Sequence, residues 1–209
     1  MAEFIVAIDG PAGSGKSSVS KAVAKALGFG YLDTGAGYRT YALWGKQSGQ
    51  KGFLQEFPYE ISLDPNNPRV TLAGRDVTDE IRTDAVATLV SDYAQLAEVR
   101  ALQKSDARQR IASCKQTGIV VEGRDITTVV APEAQVRILL TASEEVRLQR
   151  RGLEMSESAE NLVSRDRRDS QVAQFLSAPE GVTVVDTTNL DFEQSVQAVL
   201  KEIARIRGE

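Results

Sequence analysis

An α/β fold is predicted, a parallel sheet with helices on both faces, and three observations predict it. Short apolar runs at Phe4–Ile8, Gly118–Val121, Val136–Leu140 and Val182–Val185 alternate with stretches that carry apolar residues at helical spacing. The runs are continuously apolar, as strands covered on both faces are. The chain has 209 residues, 42% apolar and 26% charged, enough for one well-filled core with a small insertion and too little for two full-sized ones.

The first run stops at Asp9-Gly10-Pro11 and reads as a buried strand. Val19, Ala22, Val23, Ala26 and Leu27 then fall on one helical face, and Gly28 is placed to end that helix. Tyr31-Leu32 suggests a second short strand. Tyr59–Asp64 and Arg69–Leu72, joined by Pro65-Asn66-Asn67-Pro68, read as a hairpin, with a third short strand near Asp76–Thr78. This segment breaks the strand-helix rhythm and is expected to be a small insertion on the main sheet. Helices with a turn near Glu98 cover Asp84 to Lys115, and the last helix is roughly Phe192–Ile206. No internal repeat or low-complexity tract is present.

The absences narrow the chemistry. The chain has no histidine, which removes Ser-His-Asp and Cys-His nucleophiles and the commonest zinc and iron ligand sets. The single cysteine, Cys114, allows no intrachain disulfide or thiolate metal site and suits a reducing compartment. No apolar run approaches the roughly 18 residues that span a bilayer, and the opening run is too short for a signal peptide. A cytoplasmic protein without a membrane partner is expected. The net charge of −4 argues against a broad nucleic-acid surface. Between Lys115 and Lys201 every basic residue is arginine, whose fork suits bidentate phosphate and carboxylate contacts, although a solvated helix face has the same composition.

Gly10-Pro11-Ala12-Gly13-Ser14-Gly15-Lys16-Ser17 fits G-x-x-x-x-G-K-[ST] between a predicted strand and a predicted helix. Its small residues let backbone N–H groups curl round the β-phosphate of a nucleotide, and the N-terminus of the helix that runs on through Ser18 adds positive potential. Lys16 reaches the β and γ oxygens, and the Ser17 hydroxyl can hold Mg²⁺. The guanine-reading N-K-x-D and γ-phosphate-sensing D-x-x-G strings of GTP switches are absent, as is the serine-glycine-glycine signature of transporter ATPases. A small kinase remains.

Asp33-Thr34-Gly35-Ala36-Gly37-Tyr38-Arg39 follows the second strand and so emerges at the same sheet edge as the phosphate loop. A carboxylate, a cap hydroxyl, a phenol and a guanidinium suit an anionic acceptor beside Mg²⁺, with Asp33 a second candidate for the metal. A capped helix with Tyr38 in the core is the plain alternative. Glu122-Gly123-Arg124-Asp125 reaches the same edge, with Arg124 suited to phosphate and Asp125 to an amino group, or the two to a structural ion pair. Arg147, Arg150 and Arg151 share a helical face, and Arg165, Arg168 and Asp169 repeat that spacing, so two arginine-bearing helices linked by Gly152–Ala159 form a lid. Lys16, Arg147 and Arg151 are the candidates for neutralising charge on the migrating phosphoryl group.

These strings, with Glu80-Ile81-Arg82-Thr83, Ile126-Thr127-Thr128-Val129-Val130, Arg165-Asp166-Arg167-Arg168-Asp169 and Asp186-Thr187-Thr188, resemble the bacterial cytidylate kinases over nearly the whole chain. The resemblance implies a P-loop nucleoside monophosphate kinase with its core in about 1–35 and 116–209, a helical lid at about 147–170, and a monophosphate-binding region at about 36–115. The small β-rich insertion at about 59–78 belongs to that region. It also implies transfer of the γ-phosphoryl group of ATP to CMP or dCMP, with Mg²⁺, by a monomer. Carried over by position, Tyr38, Arg39 and Arg124 hold the CMP phosphate with Thr34 nearby. Ser91, Arg100 and Asp125 meet the cytosine edge, and Arg165 and Asp169 the ribose.

Two positions depart from the family's pattern. Val172 stands where an arginine is usual, and Gly37 replaces the usual apolar residue before Tyr38-Arg39, which is expected to loosen that helix start by about 1 kcal/mol. A kinase for another acceptor, such as UMP, shikimate or dephospho-coenzyme A, is the nearest rival reading, and a nucleotide-sensing binding module a more distant one. The loop after Val185 is where an adenine contact is expected.

Overall fold

A computed structural model describes residues 2–49, 57–154 and 177–209, the last four of the middle stretch by their backbone alone. Arg165, Arg168, Asp169, Val172 and most of the expected lid lie outside the described residues, as does the side chain of Arg151.

Five strands, β1 (Phe4–Asp9), β2 (Gly30–Asp33), β6 (Gly118–Gly123), β7 (Val136–Thr141) and β8 (Thr183–Asp186), form a sheet in the order β2-β6-β1-β7-β8. Every pairing in it is parallel. Residues alternate between its faces. Val6, Ile8, Val120, Ile138 and Leu140 meet Val19 and Val23 of α1 (Lys16–Leu27) and Val196, Val199 and Ile203 of α6 (Phe192–Arg207). Ala7, Leu32, Ile119 and Val121 meet Ala107 and Ile111 of α4 (Ala97–Ser113) on the other face. The predicted two-sided cover is therefore present over the sheet except at its edge strand β8, where Val184 is 52% exposed. α6 starts one residue past Asp191, which accepts from Gln194 N at 2.8 Å and completes a reciprocal cap.

A third core lies between α2 (Thr34–Ser48), α3 (Asp84–Ala94) and an antiparallel sheet β3-β4-β5. Its strands are β3 (Tyr59–Ile61), β4 (Val70–Leu72) and β5 (Arg75–Asp76). Tyr41 of α2 is fully buried there and meets the rings of Trp44, Phe57 and Tyr93. β5 begins slightly earlier than expected because Ala73 and Gly74 both take positive φ, +50° and +78°, making a tight two-residue turn straight out of β4. The break before α4 likewise falls at Gln95-Leu96 instead of near Glu98. Leu96 is extended there and packs against this third core.

One element was not foreseen. Residues Ile126–Val130 form a single wide helical turn with i→i+5 hydrogen bonds. Nothing in its local periodicity distinguishes it from a loop. Its ends are held from elsewhere, by the carboxylate of Asp9 and by Arg108, which donates to the carbonyls of Val130 at 2.9 Å and Val129 at 3.0 Å.

Candidate active site

The carboxyl ends of β1, β2 and β6 converge on one edge, with β1 in the middle of the sheet. The loop leaving β1 can curl only because two of its residues lack side chains and take left-handed backbone: φ is +76° at Gly13 and +85° at Gly15. At Gly13 a Cβ would also lie 2.5 Å from the carbonyl oxygen of Arg147. No side chain caps the first turn of α1 and no acidic residue sits in it, so its N–H groups and positive end are left for an anion. Ser18 is exposed on that turn. Lys16 folds back toward the loop, its Nζ donating to the carbonyl of Pro11 at 3.4 Å.

Helix α5 (Glu144–Glu154) is docked directly on this loop. Arg147 is 9% exposed and donates to the carbonyl of Ala12 at 3.0 Å. Arg150 donates to Thr187 Oγ1 at 2.9 Å and to the carbonyls of Thr187 and Leu190 at 2.8 and 3.2 Å. The opening turns of α5 are thus bonded to the core, and two of its three arginines tie the phosphate loop and the loop after β8 together.

Asp33 ends β2 and caps α2, accepting from Ala36 N at 3.0 Å. Its other oxygen accepts from Arg39 at 2.7 Å and Arg82 at 3.5 Å. Burial alone would raise its pKa, but the guanidinium groups of Arg39 and Arg82, the Ala36 N–H and Lys16 outweigh it and hold the carboxyl below its usual range. Glu122, 1% exposed at the end of β6, goes the other way. Burial and the nearby Asp33 raise its pKa against the pull of Lys16, Ser17 and Arg39. It accepts from the hydroxyl of Tyr31 at 3.1 Å. Arg82 and Glu122 are site residues that sequence reasoning left without a role, although both lie in motif strings quoted above. Their partners are remote in sequence.

Across from the loop, Thr34, Tyr38, Arg100, Lys104 and Asp125 line a cleft together with Gln103. Arg100 donates to Asp125 at 3.0 Å. Burial raises the pKa of Asp125, and Arg100 and Lys104 counter it. Thr34 donates to the carbonyl of Glu122 at 2.8 Å, joining β2 to β6 at this edge. Arg124 is half-buried at the end of β6, and Ser91 is buried on α3 and is not part of that lining. The structure thus brings Tyr38, Thr34, Arg100 and Asp125 together.

Gly37 behaves differently from the expectation of a loosened helix. α2 runs unbroken through it from the Asp33 cap, and Gly37 is buried. A Cβ there would collide with Oε1 of Gln103 and lie 3.0 Å from the Tyr59 hydroxyl. The missing side chain is space occupied by α4 and β3.

The family model for cytidylate kinase matches residues 6–205 of this chain. The chain is 42% identical over 212 residues to a cytidylate kinase from Cutibacterium acnes, covering 94% of each. It is 43% identical over 210 residues to a cytidylate kinase from Streptomyces griseus, covering 94% of this chain and 90% of the relative. Among solved structures, a gluconokinase from Sinorhizobium meliloti aligns over 97% of this chain and 93% of its own with a TM-score of 0.55 at 16% identity. That likeness concerns the fold alone.

Proposed function

From the premise that this chain belongs to the cytidylate kinase family, and so transfers the γ-phosphoryl group of ATP to CMP or dCMP, we propose how its residues divide the work. The phosphate loop, Gly10 to Ser18, takes the ATP phosphates. Tyr38, Arg39 and Arg124 take the acceptor phosphate, and Arg100 with Asp125 reads the cytosine edge. The observation that carries this reading is the Arg100–Asp125 pair, joined at 3.0 Å in a cleft shared with Tyr38. Cytosine offers an amino donor beside a ring-nitrogen acceptor, which a carboxylate beside a guanidinium complements. Uracil would present a carbonyl to Asp125, lone pair against lone pair, so a UMP kinase is not favoured.

The acceptor oxygen of CMP is already anionic and needs no general base, which suits a chain without histidine. It attacks the γ-phosphorus, the bond to the β–γ bridging oxygen breaks, and ADP leaves with the electron pair, giving CDP or dCDP. Lys16 and the N–H groups at the start of α1 hold the ATP oxygens, and Arg147 and Arg150 keep the loop in shape for in-line transfer. Arg151, Arg165 and Asp169 complete the reading as lid and ribose contacts. Ser91 is retained as a base-side contact through α3.

The donor set fits Mg²⁺. Ser17 would hold the cation through its hydroxyl at the loop's end, and the ionised Asp33, whose oxygens are already engaged by Ala36, Arg39 and Arg82, would add negative charge to that site. Among the described residues no group of three or more His, Cys, Asp or Glu side chains is placed to hold a metal ion. When bound, Mg²⁺ supplies charge neutralisation on the β and γ oxygens.

The test is coupled ADP production with Mg-ATP and a panel of CMP, dCMP, UMP, AMP, GMP and shikimate. Selective turnover of CMP and dCMP is expected, and a preference for another acceptor would overturn the assignment of Arg100 and Asp125. A cytoplasmic monomer is part of this reading. The lone, buried Cys114 agrees with a reducing compartment, and sedimentation tests the monomer.

A further inference from the structure

We propose that Gln103 is a further acceptor-binding residue, whose side-chain amide donates a hydrogen bond to the C2 carbonyl oxygen of the pyrimidine ring. The proposal rests on the reading that Arg100 and Asp125 hold the cytosine edge. Gln103 lies on α4 one turn past Arg100, and the two, with Lys104, line the same cleft as Tyr38 and Asp125. The residue is 5% exposed. Among the described residues its Nε2 has no hydrogen-bond partner. An unpaired amide donor in the interior is costly, and its persistence in a ligand cleft calls for a partner that arrives with the ligand.

The surroundings decide which end of the amide is free. Oε1 lies where a side chain at position 37 would be, against the bare backbone of α2 at Gly37. An aliphatic residue at 37 would expel the carboxamide, so Gly37 is what admits it. With the oxygen against α2, the amino end is the one left without a partner among the described residues, on a residue that lines the cleft.

Several neighbouring donors are already engaged, while Arg100 keeps further N–H groups for the ring nitrogen. The Tyr59 hydroxyl bonds Asp106 at 2.5 Å, Thr34 bonds the Glu122 carbonyl, and Arg100 bonds Asp125. With the cytosine amino group on Asp125 and the ring nitrogen on Arg100, the C2 oxygen is the next acceptor round the ring. Cytosine and uracil share that atom. Gln103 therefore adds affinity for pyrimidines without telling one from the other, a role separable from that of Asp125.

The experiment compares the full-length protein with Gln103→Leu, which removes the donor at similar volume, and Gln103→Glu, which keeps an oxygen toward α2 and turns the donor into an acceptor. Steady-state kinetics are measured with CMP, UMP and 2-thio-CMP, whose C2 sulfur is a poor acceptor. Gln103→Leu is expected to raise KM for CMP and UMP by the same factor, about 3- to 10-fold, with KM for ATP unchanged. Gln103→Glu should raise them further. The wild type should prefer CMP to 2-thio-CMP, and Gln103→Leu should lose that preference. A CMP KM within twofold of wild type in a variant that melts normally, an equal rise in the ATP KM, or a retained preference over 2-thio-CMP would each overturn the proposal. If neither variant folds, the wild type still decides: no preference for CMP over 2-thio-CMP refutes the contact. Asp125→Asn, run in parallel, checks the underlying reading, which fails on its own if the CMP-to-UMP ratio stays as in wild type.

Discussion

Thr127 donates two hydrogen bonds to one oxygen of Asp9, from its backbone N at 2.8 Å and its hydroxyl at 2.7 Å, across 118 positions of chain. Ile126 N bonds the other oxygen at 2.9 Å. Asp9 is the last residue of β1 before the phosphate loop, and Ile126 follows Asp125 directly. One buried carboxylate thus fixes the end of β1, where the glycine-rich loop begins, relative to Asp125.

Asp9→Asn places an amide N–H₂ where three donors converge. It is expected to lower stability by about 1–3 kcal/mol and to raise KM for CMP more than KM for ATP, because the wide turn after Asp125 loses its anchor. Urea unfolding and two-substrate kinetics check both, and an unchanged CMP KM would show that the turn holds its place without Asp9.

Lys16→Ala should leave the fold intact, since the loop is shaped by left-handed backbone at Gly13 and Gly15 and tied down by Arg147 and Arg150. Turnover is expected to fall by about 100-fold or more with the loss of charge on the transferring group. A folded variant, by melting, with near-normal kcat would refute the role.

Asp125→Asn keeps the shape of the Arg100 contact but exchanges a pure acceptor for a group that both donates and accepts. The ratio of kcat/KM for CMP over UMP should drop by about tenfold or more, mostly through better use of UMP. Competition between the two acceptors in one assay reads the ratio directly.

Asp33 carries a pH signature. Its folded pKa lies below the ordinary 3.8 because Arg39, Arg82, the Ala36 N–H and Lys16 outweigh its burial. Its stabilisation is therefore present above that ordinary value and lost as pH falls through the folded one. Asp33→Asn should cost about 2–4 kcal/mol at pH 7, and the gap from wild type should shrink as pH falls below about 4. Denaturant melts at pH 7, 5 and 3 measure it; a gap that stays constant would mean that the ion pairs do not carry the stability.

Much of this molecule is legible in its sequence because the causes are local. Continuous apolar runs mark strands of the main sheet, and apolar residues at helical spacing mark α1. The loop from Gly10 to Ser17 needs small residues, a lysine and a hydroxyl at adjacent positions, so a contiguous string contains its whole chemistry. Even the small sheet announces itself through its prolines and asparagines, although the Ala73-Gly74 turn that fixes β5 needed a positive φ at a non-glycine residue.

What only the tertiary structure decided are relationships across the chain. Arg82 reaches Asp33 over 49 positions, and Arg100 meets Asp125 over 25. No string could show that Arg147 and Arg150 would be spent on backbone carbonyls of the core, or that Gly37 is empty so that Gln103 can fill it. The physical reason is the same in each case. A side chain's partner is chosen by which strand lies beside which and by how closely helices approach, and that geometry exists only once the sheet has set its order and register.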